Sequence, residues 1–411
     1  MNIESFDLYN PPSDFIDNVY KYYNLLREKS PIHKNSDGSY VLTSYKDIVS
    51  VYRNFKIWSS DKKAEFGEKF GSSPLFEHHT SSVVFVDPPD HTRIRKIFQH
   101  AFTPKSILNL EPDIKKLVDS YLVMMSDKKK FDFVSDFSFR LPVDVVCSVL
   151  GIPNEDRHLI RDWAHKILGA LEPKLTSRQL DEGSNAVVNF KQYLKDQIKF
   201  RKNHRKLNKD NEILSLLIEA EGLELSETEL LHQCIFMLNA GHETSTNMLS
   251  HGLNELINHI DQFKLLQKEL GRIDTAIDEI LRFQPPIQIN NRRCLEDTSL
   301  GDITIPKGSS VHMIIAGANR DPQQFFEPEI FNISRSPNRH LSFGLGIHIC
   351  AGINLARLEA KIAFLGLLSS FREINLSKEP NIANRIRFRE IKEMQVEVCL
   401  LYTSPSPRDR G

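Results

Sequence analysis

The stretch 343–352 reads FGLGIHICAG and leads directly into an apolar helical run over 353–359. It places one cysteine, Cys350, at the predicted mouth of a helix, where free N–H groups and the helix dipole favour negative charge. We therefore expect the pKa of the Cys350 thiol to be lowered, so that its thiolate is available to bind a metal. Gly344 and Gly352 allow the backbone to turn tightly and to approach a flat ligand. This combination is typical of an axial ligand to haem iron, but a cysteine between glycines is as often a small buried apolar side chain.

The composition describes a globular protein without the charge of a nucleic-acid binder. The chain has 411 residues, of which 40% are hydrophobic, and a formal net charge of −1. Because charges of both signs are interspersed, we predict no nucleic-acid partner. The five cysteines are scattered and form no C-x-x-C pair, so neither a disulfide framework nor a zinc site is expected.

The first residues lack the basic and apolar regions of a signal peptide. Elsewhere, no apolar run approaches the roughly 20 residues that a membrane-spanning helix needs. We therefore expect a cytoplasmic, monomeric protein without a membrane partner.

The C-terminal residues 399–411 break the alternating apolar pattern of 394–398. They resemble an in-frame translation of a sequencing adapter, and a disordered Pro/Ser tail is the alternative. The sequence therefore predicts one domain over 1–398 followed by a non-native tail over 399–411.

A second motif, DPPDHTRIR, occupies residues 87–95 and has the prolines and acids of a helix start. His91 and Arg95 are four residues apart and share one helix face. Two donors placed in this way suit a carboxylate ligand, which arginine binds with two N–H groups. A solvated helix face is the alternative.

A long apolar helix is predicted from Leu230 to about Ile260, after a capping box formed by Ser226 and Glu229. Its middle, 240–246, reads AGHETST and interrupts the apolar face with glycine, a carboxylate and hydroxyls. Such residues can open the helix hydrogen bonds and make room for water or a diatomic ligand. A kinked core helix is the alternative.

Glu279 and Arg282 lie three residues apart on one predicted helix face. Such a pair is usually exposed and contributes little to stability. Pro285 and Pro286 then end the helix, and the following residues to Arg292 are predicted to be extended.

In this order, the motifs resemble those of the cytochrome P450 family. The cysteine loop is similar to the family's F-x-x-G-x-x-x-C-x-G haem-binding loop, with a histidine two residues before the cysteine. The segments D-P-P-x-H-x-x-x-R, A-G-H-E-T, E-x-x-R and P-P-x-x-x-x-x-R also occur in the family's order, and the resemblance spans roughly 31–398. It implies a mainly α fold, one triangular helical domain with small β-sheets. Haem b would lie between the long central helix and the cysteine loop.

The resemblance also implies roles for individual residues. Cys350 would be the axial ligand of the haem iron, and Glu243 and Thr244 would relay protons to dioxygen. His91, Arg95, Arg292 and His348 would hold the haem propionates. The residues implied to contact the cofactor are His91, Arg95, Ala240, Gly241, Arg292, Phe343, Gly344, His348, Cys350 and Gly352.

Two further expectations follow from the family pattern. Glu279 and Arg282 would be buried behind the haem loop, with Arg335 as a third partner. The aperiodic segment 59–82 is predicted to be a long loop at the substrate-gating position. Candidate substrate-facing residues are Phe70, Leu75, Phe76, Val83, Val84, Phe236, Asn239, Ala240, Gln288, Ile289 and Asn290.

The implied activity is insertion of one oxygen atom from O2 into a small or medium, mainly apolar organic substrate. Because the chain has no flavin or iron–sulfur motif, electrons would come from a separate ferredoxin or flavodoxin with its reductase. Arg93 and Lys96, next to the predicted propionate residues, are candidates for docking it. The alternative is a non-catalytic haem-binding sensor or carrier, which would not need the acid–alcohol pair. A purely structural helical protein would instead be colourless after expression with adequate haem.

Overall fold

The computed structural model describes residues 3–172, 175–204, 213–222 and 224–400. Helices dominate, which confirms the mainly α fold that the family resemblance implies. In the described part of the chain the helices are α1 Val19–Lys29, α2 Tyr45–Arg53, α3 Lys63–Phe70, α4 Pro74–Ser81, α5 Asp90–Ala101, α6 Pro104–Leu108, α7 Glu111–Lys128, α8 Arg140–Val149, α9 Arg157–Gly169, α10 Ser177–Asn203, α11 Ile213–Ala220, α12 Glu227–Asn258, α13 Ile260–Lys268, α14 Ile273–Phe283, α15 Ile315–Ala318 and α16 Ile353–Ser370.

The strands form small sheets at the edges of the helical body. They are β1 Ile32–Lys34, β2 Tyr40–Leu42, β3 Trp58–Ser59, β4 Lys130–Asp132, β5 Ile289–Cys294, β6 Thr298–Leu300, β7 Ile303–Ile305, β8 Ser310–Ile314, β9 Phe371–Leu376, β10 Asn381–Ile382, β11 Ile391–Glu393 and β12 Gln395–Leu400. The largest sheet has the order β1-β2-β8-β5-β3, in which β2 and β8 are parallel and the other neighbours antiparallel. The other sheets are β4-β12-β9, β6-β7 and β10-β11.

Helix α12 is the central element of the helical body, and it contacts α8, α9, α10, α14 and α16. Its predicted capping box is present: the Glu229 N–H donates to Ser226 Oγ at 3.2 Å, and the Ser226 N–H donates to Glu229 Oε2 at 2.8 Å. A Cβ at Gly241 would lie 2.7 Å from Val146 Cγ2, so glycine is what allows α8 to pack this closely. The helix is continuous through 240–246, and the predicted opening of its hydrogen bonds is not seen.

Two predicted boundaries are corrected by the structure. The predicted loop over 59–82 contains α3 and α4, which Lys62 and Ser73 precede as N-caps. At the C-terminus, β12 continues to Leu400, with Cys399 opposite Glu373 of β9. The regular pairing therefore extends two residues past the expected domain end, while 401–411 of the predicted tail lie outside the described residues.

Within the described ranges, no helix combines the length and the apolar character needed to cross a bilayer.

Candidate active site

A cavity of about 310 Å³ lies between α12 and the cysteine loop 343–352. Its walls are largely apolar, with valine, leucine and phenylalanine side chains from several helices. Every residue predicted to contact the cofactor or to relay protons lines it: His91, Arg95, Ala240, Gly241, Glu243, Thr244, Arg292, Phe343, Gly344, His348, Cys350 and Gly352. The fold thus brings residues from four distant segments to one site.

Backbone contacts hold the cysteine loop in shape. The Cys350 N–H donates to the Phe343 carbonyl at 2.9 Å, and this bond closes the loop. Gly346 has φ +75°, and a Cβ there would collide with the carbonyl of Tyr52 in α2. A side chain at this position would therefore be both strained and obstructed, and glycine is required.

The environment of Cys350 differs from the expectation for its thiol. Gly352 is the N-cap of α16, so Cys350 lies just outside the helix. Desolvation raises the pKa of the Cys350 thiol above its ordinary value, although the residue is exposed where it lines the cavity, while the Gly352 N–H and the Arg95 charge oppose the rise. The predicted lowering was wrong because the helix-end argument omitted desolvation. A bound metal deprotonates a coordinating thiol by its own charge.

Arginine and histidine side chains from three segments of the chain line the cavity. The rings of His91 and His348 lie 4.1 Å apart between centroids. Burial, reinforced by nearby arginines, lowers the pKa of His91 to about 4 and that of His348 to about 2, so both rings are neutral N–H donors. Arg292 is buried, and its guanidinium lies 5.4 Å from the centre of the Tyr52 ring. Arg95 Nε and His348 Nε2 are buried with no hydrogen-bond partner among the described residues.

These residues fit haem b. The cavity offers one thiol as an iron ligand, apolar walls for the macrocycle, and unmatched buried N–H donors for its two propionates. Unmatched buried donors are costly, so a native protein that keeps them normally supplies their acceptor from a ligand or water. The donor set therefore has the chemistry that a haem thiolate site requires.

On α12, Glu243 and Thr244 have different partners. Thr244 Oγ1 donates to the Ala240 carbonyl at 2.7 Å. Glu243 Oε1 accepts from Arg385 Nη1, whereas its Oε2 is buried without a partner in the described chain. Burial raises the pKa of Glu243 to about 7 against the opposing charge of Arg385, and Glu390 and Glu172 add to the rise.

A buried ion network supports the site from the side of α14. Glu279 and Arg282 are both 0% exposed and joined by two hydrogen bonds of 2.8 Å. Arg335 Nε lies 3.1 Å from Glu279 Oε2, so it reaches the same carboxylate. Arg282 also donates to the carbonyls of Asn319, at 2.9 Å, and Pro328, at 2.8 Å. The network therefore ties α14 to the chain that leads into the cysteine loop.

The substrate-facing candidates divide into two groups. Val83, Val84, Phe236, Asn239, Ala240 and Asn290 line the cavity. Phe70 and Leu75 instead pack in the hydrophobic core, with Phe76 against it. Gln288 and Ile289 are also buried, and neither bounds the cavity. Because α3 and α4 are helices, the apolar side chains of 59–82 pack inward rather than forming a loose lid.

Three residues at or beside the cavity were not singled out from the sequence. Arg385 and Arg387 lie in the segment NRIRFRE, 384–390, where arginine alternates with apolar residues. This period of two is typical of an extended segment and could have indicated that the arginines share one face. Glu359 follows the apolar run of α16, is 1% exposed and lines the cavity. Burial raises the pKa of Glu359 to about 8, although a hydrogen bond from Ser245 opposes the rise.

Known proteins resemble this chain over nearly its whole length. The family model described as Cytochrome P450 matches residues 13–395. The biotin biosynthesis cytochrome P450 of Bacillus subtilis (strain 168) is 34% identical over 390 residues, which cover 93% of this chain and 97% of that protein. The polyketide biosynthesis cytochrome P450 PksS of the same strain is 34% identical over 383 residues, covering 90% and 92%. The crystal structure of P450BioI in complex with a hexadec-9Z-enoic acid ligated acyl carrier protein has a TM-score of 0.89 at 33% identity, covering 94% of this chain and 100% of that chain.

Proposed function

This chain belongs to the cytochrome P450 family of haem b oxidoreductases, and we propose that it inserts one oxygen atom from O2 into a small or medium, mainly apolar substrate. One observation carries the proposal. Cys350 and the Glu243–Thr244 pair, which are far apart in sequence, bound the same largely apolar cavity. An iron ligand and a proton source thus face a common volume from which the apolar walls exclude water.

The chain holds the cofactor through Cys350 and through the donors Arg95, Arg292, His91 and His348. Bound haem would supply the site where electrons from the redox partner reduce O2 and would provide the oxidising power, and thiolate ligation would favour O–O cleavage. The Gly352 N–H reaches the Cys350 sulfur, which moderates its electron donation. Gly346 lets the loop that carries Cys350 pack against the Tyr52 carbonyl of α2.

Glu243 and Thr244 supply protons at the cavity wall. With a pKa of about 7, the Glu243 carboxyl exchanges its proton readily at neutral pH, which is the condition for efficient general acid catalysis. Arg385 fixes one carboxylate oxygen and leaves Oε2 free. The hydrogen bond to the Ala240 carbonyl orients the Thr244 hydroxyl at the same wall.

Electrons come from a separate protein of the ferredoxin or flavodoxin type. Of the two docking candidates on α5, Arg93 is engaged by Glu229 and by Asp90, the latter at 3.1 Å. Lys96 is exposed on the same helix. We therefore assign the docking contribution to Lys96 rather than to Arg93.

The relatives suggest the character of the substrate. The crystallised P450BioI complex carries a long acyl chain on an acyl carrier protein. We propose for this chain only that its substrate also has an apolar acyl character. The valine and phenylalanine side chains that line the cavity support this.

The test begins with the reduced holoprotein under carbon monoxide. The absorption band typical of thiolate-ligated carbonyl complexes is expected in the wild type and should be lost in Cys350→Ser. Substrate-dependent NADPH oxidation with surrogate redox partners, together with oxygenated product, then separates an oxygenase from a haem-binding sensor or carrier. Absence of the band in the wild type, or its survival in the variant, would overturn the assignment.

A further inference from the structure

Arg387 lies between β10 and β11, and its side chain lines the active-site cavity. The Gln288 N–H donates a hydrogen bond of 2.9 Å to the Arg387 carbonyl, which fixes the backbone against the segment before β5. No hydrogen bond or ion pair from the described residues holds the Arg387 guanidinium. Arg387 Nε is buried without an acceptor, and carboxylates of the described chain, Glu65 foremost, act on the side chain only through space.

The neighbouring arginine shows what a guanidinium paired with carboxylates looks like in this loop, although its Nη2 is also buried without an acceptor among the described residues. Arg385 donates to Glu172 at 2.7 Å, to Glu390 at 3.0 Å and to Glu243. Arg387, two residues later, has none of these acceptors. Because arginine stays protonated in proteins, its positive charge lines the cavity without a direct ion pair in the described chain, and carboxylates offset it only through space. A side chain in this state is a candidate to meet an anion from outside the chain.

The charges around the cavity leave room for such an anion. Three lining arginines, Arg95, Arg292 and Arg387, form no ion pair with a carboxylate in the described ranges. Of the lining carboxyl groups, Glu243 is held by Arg385, and Glu359 is neutral at pH 7 because burial raises its pKa to about 8. Haem b brings two propionates, which match Arg95 and Arg292. Among the arginines of the described chain that line the cavity, Arg387 is then the one without an assigned anion.

The cavity that Arg387 lines is largely apolar, and the Phe388 ring centre lies 5.9 Å from its guanidinium. Val83, Val84, Phe236 and Phe388 line the same volume as Arg387. A ligand that satisfies both features has an apolar body and one carboxylate, which arginine binds with paired N–H groups. We propose that Arg387 binds the carboxylate of the substrate, and that the substrate is an apolar carboxylic acid of the fatty-acid type. This inference rests on the proposed function and names the substrate class for it.

A haem propionate is the second possible source of a carboxylate for Arg387. The experiment distinguishes a substrate carboxylate from a propionate. The holoprotein is titrated with saturated fatty acids from octanoic to octadecanoic acid and with their methyl esters, and binding is followed by the haem spin-state shift and by calorimetry. The wild type should bind at least one acid about tenfold more tightly than its ester, because the ester keeps the chain but loses the charge. Arg387→Met should remove this preference by weakening acid binding, with ester binding unchanged.

Matched controls accompany these titrations. Lys392→Met removes an exposed positive charge from β11 and should keep the acid preference. Haem transfer to apomyoglobin should be as slow in Arg387→Met as in the wild type, and faster in Arg292→Met. Faster haem loss in Arg387→Met with an unchanged acid-to-ester ratio would assign Arg387 to a propionate and overturn the inference.

The wild-type titration decides the matter even if Arg387→Met does not fold. A wild type that binds no acid in the series more tightly than its ester also overturns the inference. Failure of the proposed function has a different signature, since it removes the thiolate-type carbonyl band while calorimetric acid binding can persist.

Discussion

Glu279→Gln should destabilise the protein strongly, because it leaves two arginines without their counter-charge. Glu279 and Arg282 are 0% exposed, and Arg335 is 10% exposed. The substitution keeps the side-chain shape but removes the negative charge of the carboxylate, which accepts hydrogen bonds from both guanidinium groups. Breaking a buried pair by removing one partner costs about 3–5 kcal/mol, and the shared carboxylate places this site at the upper end of that range.

The neighbouring Asp278 provides the matched control. It lies on the same helix and pairs with Arg357 at 2.7 Å, but the two side chains are 28% and 46% exposed. Asp278→Asn should therefore cost no more than about 1 kcal/mol. Both variants are measured by equilibrium urea unfolding at equal haem content, with tryptophan fluorescence and haem absorbance as probes.

The comparison between the two variants tests the reasoning directly. A Glu279→Gln cost below about 1 kcal/mol, or one equal to that of Asp278→Asn, would show that burial of the network does not determine its contribution. Arg335→Met offers an intermediate case, since Arg282 would still satisfy the carboxylate.

Three further outcomes are expected. Thr244→Ala should lower the product formed per NADPH consumed at least about tenfold, measured by product analysis, because it removes the hydroxyl that the Ala240 carbonyl orients at the cavity wall. Unchanged coupling would count against a proton role. In the folded wild type, the pKa of Glu359 is about 8, whereas in the unfolded chain it lies near its ordinary value. The stability that the protonated side chain contributes is therefore lost as the pH rises toward 8. Between pH 6 and pH 8, the melting temperature of Glu359→Gln should fall less than that of the wild type. Equal losses would contradict the assigned protonation. Lys96→Glu should slow the first electron transfer from the ferredoxin or flavodoxin and weaken its salt dependence. Lys21→Glu, on α1, should change neither. Equal stopped-flow reduction rates for Lys96→Glu and the wild type would remove Lys96 from the docking surface.

The parts of the site that depend on short local patterns were predictable from sequence. The loop around Cys350 carries its own turn-forming glycines, and Ser226 with Glu229 marks the start of α12. Each feature is decided within a few residues, so the sequence contains the information. The mainly α fold itself was expected from the family resemblance that these motifs carry.

The parts that depend on distant partners were not predictable. Arg385 acquires its role from Glu172 and Glu243, which lie far from it in the chain, and no local pattern pairs them. The thiol of Cys350 was expected to be acidified because a helix follows it, but desolvation by the surrounding tertiary structure outweighs the helix end. Similarly, α3 is a short helix with a mixed composition, and packing of Phe66 and Phe70 rather than helix propensity stabilises it.

The parallel pairing of β2 with β8 has a consequence for biosynthesis. Leu42 is opposite Met313. Strand β2 is therefore synthesised long before β8, its partner, and cannot pair until most of the chain has been translated. Until then α2, whose Tyr52 carbonyl packs against Gly346, has no completed sheet beside it. Folding that depends on such long-range contacts is slow and exposes nascent apolar surface to chaperones. Cofactor loading is therefore expected to be a post-translational event, completed only after release of the finished polypeptide.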